Sequence, residues 1–323
     1  MALRTAPFVV HVLECLRDEA ASHGHELAEF HAEGTDSYVA LCLDCGADAT
    51  VVCAPKRYEK FGGAFLKRCE AGILPGMSNI IVGGVELSPP GALVVENYKM
   101  AGVVRFKNAK RGAKPVNELI LHETVTSSSR ATVDVLNQRG LGVQFIIGPD
   151  GIVRQHGDLI EDEHWHASQH NDNSVGIEVV NPYYPKFRPS NSPWTEVIDA
   201  PWAHEGKYVV PTLDQAEATF LLTEWLTSSE SGLQIPRTWK GLKGRKMHFG
   251  RVPGAEKRAP GIYAHYYFGH ADGCWLTLYC WLRMEAGCDP TFAYREATVR
   301  ATGLKGMCDL NDFYIEKPEI PEG

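Results

Sequence analysis

The sequence lacks any run of about eighteen apolar residues, so no segment is long enough to cross a membrane as a helix. Its first twenty residues, MALRTAPFVVHVLECLRDEA, hold an apolar stretch that is short and soon interrupted by charge. This pattern predicts an amphipathic helix capped near Thr5 rather than a signal peptide. We therefore expect a protein that is made in the cytoplasm, carries no export signal and does not insert into membranes.

An excess of positive charge is also missing, because the formal net charge is -8. This balance argues against nucleic acid as a partner. The basic run at 242–258 is read either as a solvated loop or as a contact for an acidic polymer. The nine cysteines are odd in number and scattered, which favours reduced thiols or metal ligands over a disulfide framework.

Long repeats and low-complexity tracts are absent, and composition divides the chain into three parts. Residues 1–72 predict a small N-terminal domain that contains Cys and His, and residues 73–114, rich in Gly and Pro, predict a connecting region. Residues 115–323 alternate strand and helix patterns. Together these patterns predict an α/β fold with a mixed central β-sheet flanked by helices, preceded by a small α+β unit.

Cysteine spacing in the first part suggests a second, structural zinc site. Cys42 and Cys45 form a C-x-x-C pair followed by glycine, and Cys69 lies downstream. His25 would complete a zinc-ribbon-like ligand set, with Cys53 as the alternative fourth ligand. Reduced cysteines packed in a small core are an equally good interpretation.

The third part contains six patterns that each predict one element. Apolar runs and a P-D-G turn predict two buried strands and a hairpin, and capping residues predict three helices. In chain order these elements are a strand at 118–125, a helix at 127–140, a hairpin at 143–157, a strand at 174–181 and helices at 211–232 and 275–287.

Two side chains in the predicted strands are candidates for chemistry. His122 is either a hydrogen-bonded core histidine or a metal ligand, and the missing second histidine of H-E-x-x-H excludes a helical zinc-protease site. Alternation places Glu178 on the same side of its strand as Gly176. A carboxylate in so apolar a strand is either a general base with a raised pKa or half of a structural ion pair.

A third candidate region is the stretch GIYAHYYFGHADGCW at 261–275, which holds four potential metal ligands. The aromatic segment at 181–212 follows the Glu178 strand and could border the same site. Its tyrosines and tryptophans would either stack on a sugar or peptide or pack within the loop.

The order of these patterns resembles the N-acetylmuramoyl-L-alanine amidase family, which includes phage lysins, cell-wall recycling amidases and peptidoglycan recognition proteins. LHET, a serine-capped helix, GVQFIIGPDGIVRQHG and WHASQHNDNSVGIEVVN occur in the family's order. The resemblance covers about residues 115–286, and its most specific element is the W-H-A…N-x-S-V-G-I-E run.

The resemblance implies a catalytic zinc site and assigns its residues. His122 and His265 match the first two ligands, and Asp272, just before the last helix of the resemblance, matches the third. His270 matches the polar catalytic residue two positions before the third ligand, and Glu178 matches the catalytic glutamate of the recycling enzymes. Two imidazoles and one carboxylate leave zinc a fourth position for water, as a catalytic site requires.

The sequence departs from the family pattern in three places. Val143 stands where other members carry a catalytic tyrosine, which shifts the general-base role to Glu178. The interval between His265 and Asp272 is short, and the proline-rich ligand loop is missing. Cys274 is therefore an alternative third ligand, and His270 is a further alternative.

The resemblance also implies substrate contacts and a function. Trp165 and His166 are expected to bind substrate, although His166 could instead support its strand through a hydrogen bond. We expect a zinc-dependent amidase that cleaves between N-acetylmuramic acid and L-alanine, acting on peptidoglycan or muropeptides. The expected setting is a phage endolysin that reaches the cell wall after holin-type release. The alternatives are a cytosolic recycling amidase, a non-catalytic peptidoglycan-binding protein and a phage structural protein with an amidase-like domain.

Overall fold

The chain forms two compact units, residues 1–77 with 90–93 and residues 78–89 with 94–323. The domain boundaries predicted from the sequence stay a prediction. The predicted N-terminal helix and the four residues of the predicted structural zinc site lie outside the described residues; the four are His25, Cys42, Cys45 and Cys69. The computed structural model describes residues 27, 30–32, 37–41, 48–54, 57–61, 78–90, 93–190 and 192–314.

The smaller unit contains a four-stranded antiparallel sheet whose strands follow chain order. The alternating runs YVALCL and ATVVC predict strands here, and they overlap β2 and β3. The bounds are β1 His31–Ala32, β2 Ser37–Leu41, β3 Asp48–Ala54 and β4 Arg57–Phe61.

The larger unit is built on a six-stranded mixed sheet in the order β18-β9-β13-β10-β11-β7. The first four strands in this order run parallel, and β11 turns back antiparallel to β10 through the predicted P-D-G hairpin. The predicted fold class, a mixed central sheet flanked by helices, is therefore confirmed. The bounds are β7 Val95–Asn97, β9 Glu118–Glu123, β10 Phe145–Ile147, β11 Val153–Gln155, β13 Ser174–Val179 and β18 Gly261–Ala264.

The larger unit also contains four small sheets of shorter strands. These strands are β5 Ile80–Val82, β6 Val85–Leu87, β8 Ala109–Lys110, β12 Asp162–Glu163, β14 Val197–Asp199, β15 Lys207–Val209, β16 Leu242–Lys243, β17 Lys246–Phe249 and β19 Gly306–Asp309.

Four α-helices lie within the described ranges, and local capping explains where the first two begin. They are α1 Ser129–Gln138, α2 Leu213–Leu226, α3 Cys274–Met284 and α4 Pro290–Ala301. The Ser128 hydroxyl caps α1, and Thr212 with Gln215 forms the predicted capping box of α2. The helix predicted over 211–232 ends early, because a separate 3₁₀ turn at Ser229–Ser231 follows it. The sequence pattern did not predict helix α4.

Helices pack against the central strands of the sheet. On one face, Val133 and Leu136 of α1 pack with Val143 and Ile146. Helix α2 contacts β10 and β13, and α3 contacts β9 and β18. The carboxyl ends of parallel strands in such a sheet are the usual place for a ligand site. None of the helices within the described ranges is long and apolar enough to cross a membrane.

Two buried histidines lie near the hairpin and make folding depend on pH. His156 is 1% exposed and donates through Nδ1 to the Val104 carbonyl, and His164 is fully buried beside Asn108. Burial lowers the pKa of each histidine to about 4. Both imidazoles are therefore neutral in the folded protein at pH values where the unfolded chain begins to take up protons.

We expect the free energy of unfolding to fall as pH drops from about 6.5 towards 4, because only the unfolded state protonates there. The variant His156→Asn keeps a donor for Val104 but cannot titrate. Between pH 7 and 4.5, its free energy of unfolding should therefore fall by about 2 to 3 kcal/mol less than that of wild type. Urea unfolding followed by tryptophan fluorescence measures the free energy of unfolding at each pH. All seven tryptophans lie beyond residue 164, so the signal reports on the larger unit that contains His156. The exposed His204 supplies the control His204→Asn, which should keep the wild-type pH dependence. Equal losses in wild type and His156→Asn would contradict this account.

Candidate metal centre and active site

Three of the predicted site residues form a row across neighbouring strands. In the parallel register Glu178 of β13 is opposite His122 of β9, and Ala264 of β18 is opposite Leu121. His265, the next residue after β18, therefore lies beside His122, and their ring centroids are 4.2 Å apart. The row exists because each of these three residues lies at the carboxyl end of its strand.

Asp272 completes a group that can hold a metal ion. Among the described residues, one set of His, Cys, Asp and Glu side chains has this geometry: His122, His265 and Asp272, whose ligand atoms lie within 4.8 Å of one another. The Asp272 carboxylate lies 3.1 Å from Nδ1 of His265. Its position follows from a short loop in which the Asp272 backbone N–H donates to the His270 carbonyl.

The electrostatics of the group suit a divalent cation. Burial lowers the pKa of His122 well below its usual range and that of His265 to about 3, so both imidazoles keep a free lone pair. Burial also raises the pKa of Asp272 well above its usual range. Oδ1 of Asp272 and Oε2 of Glu178 are buried without a hydrogen-bond partner. Two neutral imidazoles and a carboxylate are a donor set that zinc accepts, and its charge would offset the cost of burying these oxygens.

A hydrogen-bond chain orients the first histidine of the group. The Ser174 hydroxyl donates to the His170 carbonyl, so its oxygen accepts from Nε2 of His166. Nδ1 of His166 then accepts from Nε2 of His122 at 3.0 Å. This direction leaves Nδ1 of His122 unprotonated, with a lone pair that can bind a metal ion.

Space for the His166 ring depends on the glycine beside it in the sheet. A Cβ at Gly176 would lie 2.8 Å from Nδ1 of His166 and 2.7 Å from Val143. The structure thus places His166 against His122, partly buried. Trp165, its neighbour, is 44% exposed.

The two predicted catalytic residues differ in exposure. Burial, with a further contribution from the Asp272 charge, raises the pKa of Glu178 well above its usual range. His270 is exposed and stacks on His265 at 4.3 Å with the rings 7° from parallel. Electrostatic interaction with His265, and then partial burial, lower the pKa of His270. A half-buried carboxylate, with one fully buried oxygen, and an exposed imidazole thus flank the metal group.

The alternative ligand Cys274 lies outside this group. It is fully buried as the first residue of α3. Burial raises the pKa of its thiol well above the usual range, which disfavours the thiolate that a metal binds. Cys53 lies on β3, within the smaller unit.

The aromatic segment after Glu178 is mostly packed within the larger unit. Trp194 and Trp202 are 2% and 4% exposed, and their indole N–H groups donate to Gln215 and to the Ala301 carbonyl. Loop packing is therefore the better interpretation for these two tryptophans. Tyr183 is also buried, and its ring contacts Tyr184.

One buried polar residue beside the group was not predicted. Glu123, the residue after His122, is 3% exposed and accepts hydrogen bonds from Tyr208, Asn181 and the backbone of Gly273. Burial raises the pKa of Glu123 to about 7. The three hydrogen bonds favour the ionised form and oppose this rise. A carboxylate in the apolar run ELILHE was the available signal, and it is the same signal that identified Glu178.

Comparison with known proteins gives a family for the central part of the chain. Residues 112–267 match the profile of N-acetylmuramoyl-L-alanine amidase. This range includes His122, Glu178 and His265, and it ends before His270 and Asp272. None of the curated proteins matches the chain.

Solved structures with low similarity include proteins of two kinds. Drosophila peptidoglycan recognition protein SA is 14% identical with a TM-score of 0.32, and the alignment covers 54% of this chain and 80% of that protein. The endolysin N-acetylmuramoyl-L-alanine amidase LysCS from Clostridium intestinale URNW is 14% identical with a TM-score of 0.28, covering 51% and 82%. The profile match confirms the resemblance seen in the sequence: residues 112–267 are similar to the N-acetylmuramoyl-L-alanine amidase family.

Proposed function

We propose that the protein is a zinc-dependent amidase that hydrolyses the bond between the lactyl group of N-acetylmuramic acid and L-alanine in peptidoglycan. The observation that carries the proposal is the group of His122, His265 and Asp272 with the unpaired carboxylate of Glu178 beside it. The family match supports the choice of bond. A binding protein would not need a carboxylate oxygen buried without a partner next to a metal group, because burying it costs stability.

The roles of the residues follow from their positions. His122, His265 and Asp272 would hold zinc, which when bound supplies Lewis-acid polarisation of the scissile carbonyl and the attacking water. Glu178 accepts the proton of that water, a role that suits a carboxylate whose pKa is raised by burial. The exposed His270 donates a hydrogen bond to the oxygen that gains charge, or a proton to the leaving amine. Trp165 offers an exposed ring for the substrate.

Removing the metal is expected to abolish hydrolysis, because the buried donors then have no cation. The assay uses purified cell walls and counts new L-alanine amino termini by mass spectrometry of released peptides. Activity should fall to background after chelation and return with one equivalent of zinc. Full activity in protein shown to be metal-free by elemental analysis would contradict the proposal. Retention on cell walls without hydrolysis in the zinc-loaded protein would favour a binding protein instead.

The biological setting is a separate part of the proposal. An endolysin should act on intact cell walls, whereas a recycling enzyme should prefer soluble muropeptides. Comparing the two substrates at equal concentrations of the scissile bond distinguishes these settings. We propose the endolysin role, and a preference for soluble muropeptides would replace it with the recycling role.

A further inference from the structure

The buried carboxylate of Glu123 has no part in the chemistry proposed above, yet three donors converge on it. Its Oε1 accepts from the Tyr208 hydroxyl and from Nδ2 of Asn181, and its Oε2 accepts from the backbone N–H of Gly273 at 2.8 Å. Because side chains alternate along a strand, Glu123 and His122 point to opposite faces of β9. The side chain of Glu123 thus lies on the opposite face of β9 from that of His122.

From that face, Glu123 contacts the backbone of the loop that carries Asp272. Gly273 follows Asp272 and immediately precedes α3, and its φ of +82° favours glycine. A Cβ at Gly273 would lie 2.2 Å from the Leu121 carbonyl oxygen, so the backbone of the loop packs directly on β9. The Gly273 N–H is also at the positive end of the α3 dipole, where a carboxylate is favourable.

We propose that Glu123 is a positioning residue that sets the distance between two of the metal ligands. It is bonded to His122 in the chain, and its carboxylate holds the residue bonded to Asp272, 150 positions away in sequence. The contact therefore joins the strand of the first ligand to the loop of the third. The inference rests on the proposed function, in which both residues bind zinc.

The role requires a carboxylate and not merely a polar side chain of the same shape. Glutamine would place its oxygen towards either Asn181 or Gly273 and its amide group towards the other. In either arrangement the glutamine NH2 group faces another N–H donor, so one hydrogen bond is lost. The Asn181 amide cannot turn away, because it is already held by its bond to the Val209 carbonyl. We expect Glu123→Gln to release Gly273, and with it Asp272.

Zinc affinity of the full-length protein, measured by competition with a chromophoric chelator, tests the inference. Glu123→Gln should bind zinc about 10 to 100-fold more weakly than wild type, the usual effect of losing a partner that orients a ligand. Tyr208→Phe loses one hydrogen bond to Oε1 but keeps the Gly273 contact, so its affinity should stay within about threefold of wild type. An unchanged affinity in Glu123→Gln would overturn the inference.

A matched control separates positioning from general loss of stability. Glu217 in α2 accepts from the Tyr279 hydroxyl and pairs with Arg283, in the layer of helices. Glu217→Gln should lower the melting temperature without weakening zinc binding. Equal weakening in Glu217→Gln and Glu123→Gln would mean that stability, rather than position, governs affinity.

Amide hydrogen exchange of zinc-free wild type tests the contact without any variant. The Gly273 N–H should exchange slowly, because it is buried and bonded to Oε2 of Glu123. Exchange at the rate of a free loop would overturn the inference even if Glu123→Gln fails to fold. A wild type that binds no zinc would instead overturn the proposed function, while slow exchange at Gly273 would still report the contact.

Discussion

Replacing Glu178 with glutamine is expected to lower kcat by about 10² to 10⁴-fold while zinc stays bound. Glutamine has nearly the same shape but cannot accept a proton from the attacking water. The metal group consists of His122, His265 and Asp272, so its ligand atoms are untouched. Measurement of kcat on a soluble muropeptide, together with zinc content per chain, gives both quantities.

The same substitution should leave the protein as stable as wild type, or make it more stable. Oε2 of Glu178 is buried without a hydrogen-bond partner, and the nearby carboxylate of Asp272 raises the pKa of Glu178 further. A neutral amide removes the cost of a buried charge at that position. A melting temperature that does not fall, beside a large loss of kcat, is the signature of a residue retained for chemistry.

A second glutamate of the same sheet supplies the control for Glu178→Gln. Glu96 lies on β7, three strands away from β13, and pairs with Arg154. Glu96→Gln should keep kcat near the wild-type value, because this carboxylate is remote from the metal group. If Glu178→Gln retains more than about a tenth of wild-type kcat, another group takes the proton.

Alternation and chain order were sufficient to predict much of the candidate site. Side chains alternate between the two faces of a strand, and this alternation predicts the face on which His122 and Glu178 each lie. The parallel register then places the two residues side by side. The resemblance added His265, which the structure places next to His122. These residues could be found because each lies in a strongly patterned strand or directly after one.

The contacts between distant segments were not accessible from the sequence. Glu123 and Gly273 are far apart in the chain, and nothing in either local pattern indicates that they meet. The same limit applies to His166, whose partners became visible only when Ser174 and Gly176 were placed beside it. Helix α4 was missed because its apolar residues show only a weak helical pattern and few of them are buried.

The choice between Asp272 and Cys274 as third ligand carries the second large prediction. Asp272→Ala should weaken zinc binding by more than the roughly 100-fold that loss of an orienting partner causes, because a direct ligand is removed. Cys274→Ala should bind zinc as wild type does. The reason is geometric and electrostatic: Asp272 lies 3.1 Å from His265, whereas burial raises the pKa of the Cys274 thiol and keeps it protonated.

Zinc content and affinity of the two alanine variants, measured beside wild type, decide between the ligands. Cys274 is fully buried, so Cys274→Ala should lose some stability through packing, and the melting temperature of zinc-free protein records that loss separately. Asp272→Ala should show the reverse pattern, with little loss of stability without zinc and the whole effect on binding, because its carboxylate is costly to bury when no cation is present. If Cys274→Ala loses its zinc and Asp272→Ala retains it, the cysteine is the third ligand. That result would also contradict the proposed role of Glu123, which holds the backbone next to Asp272.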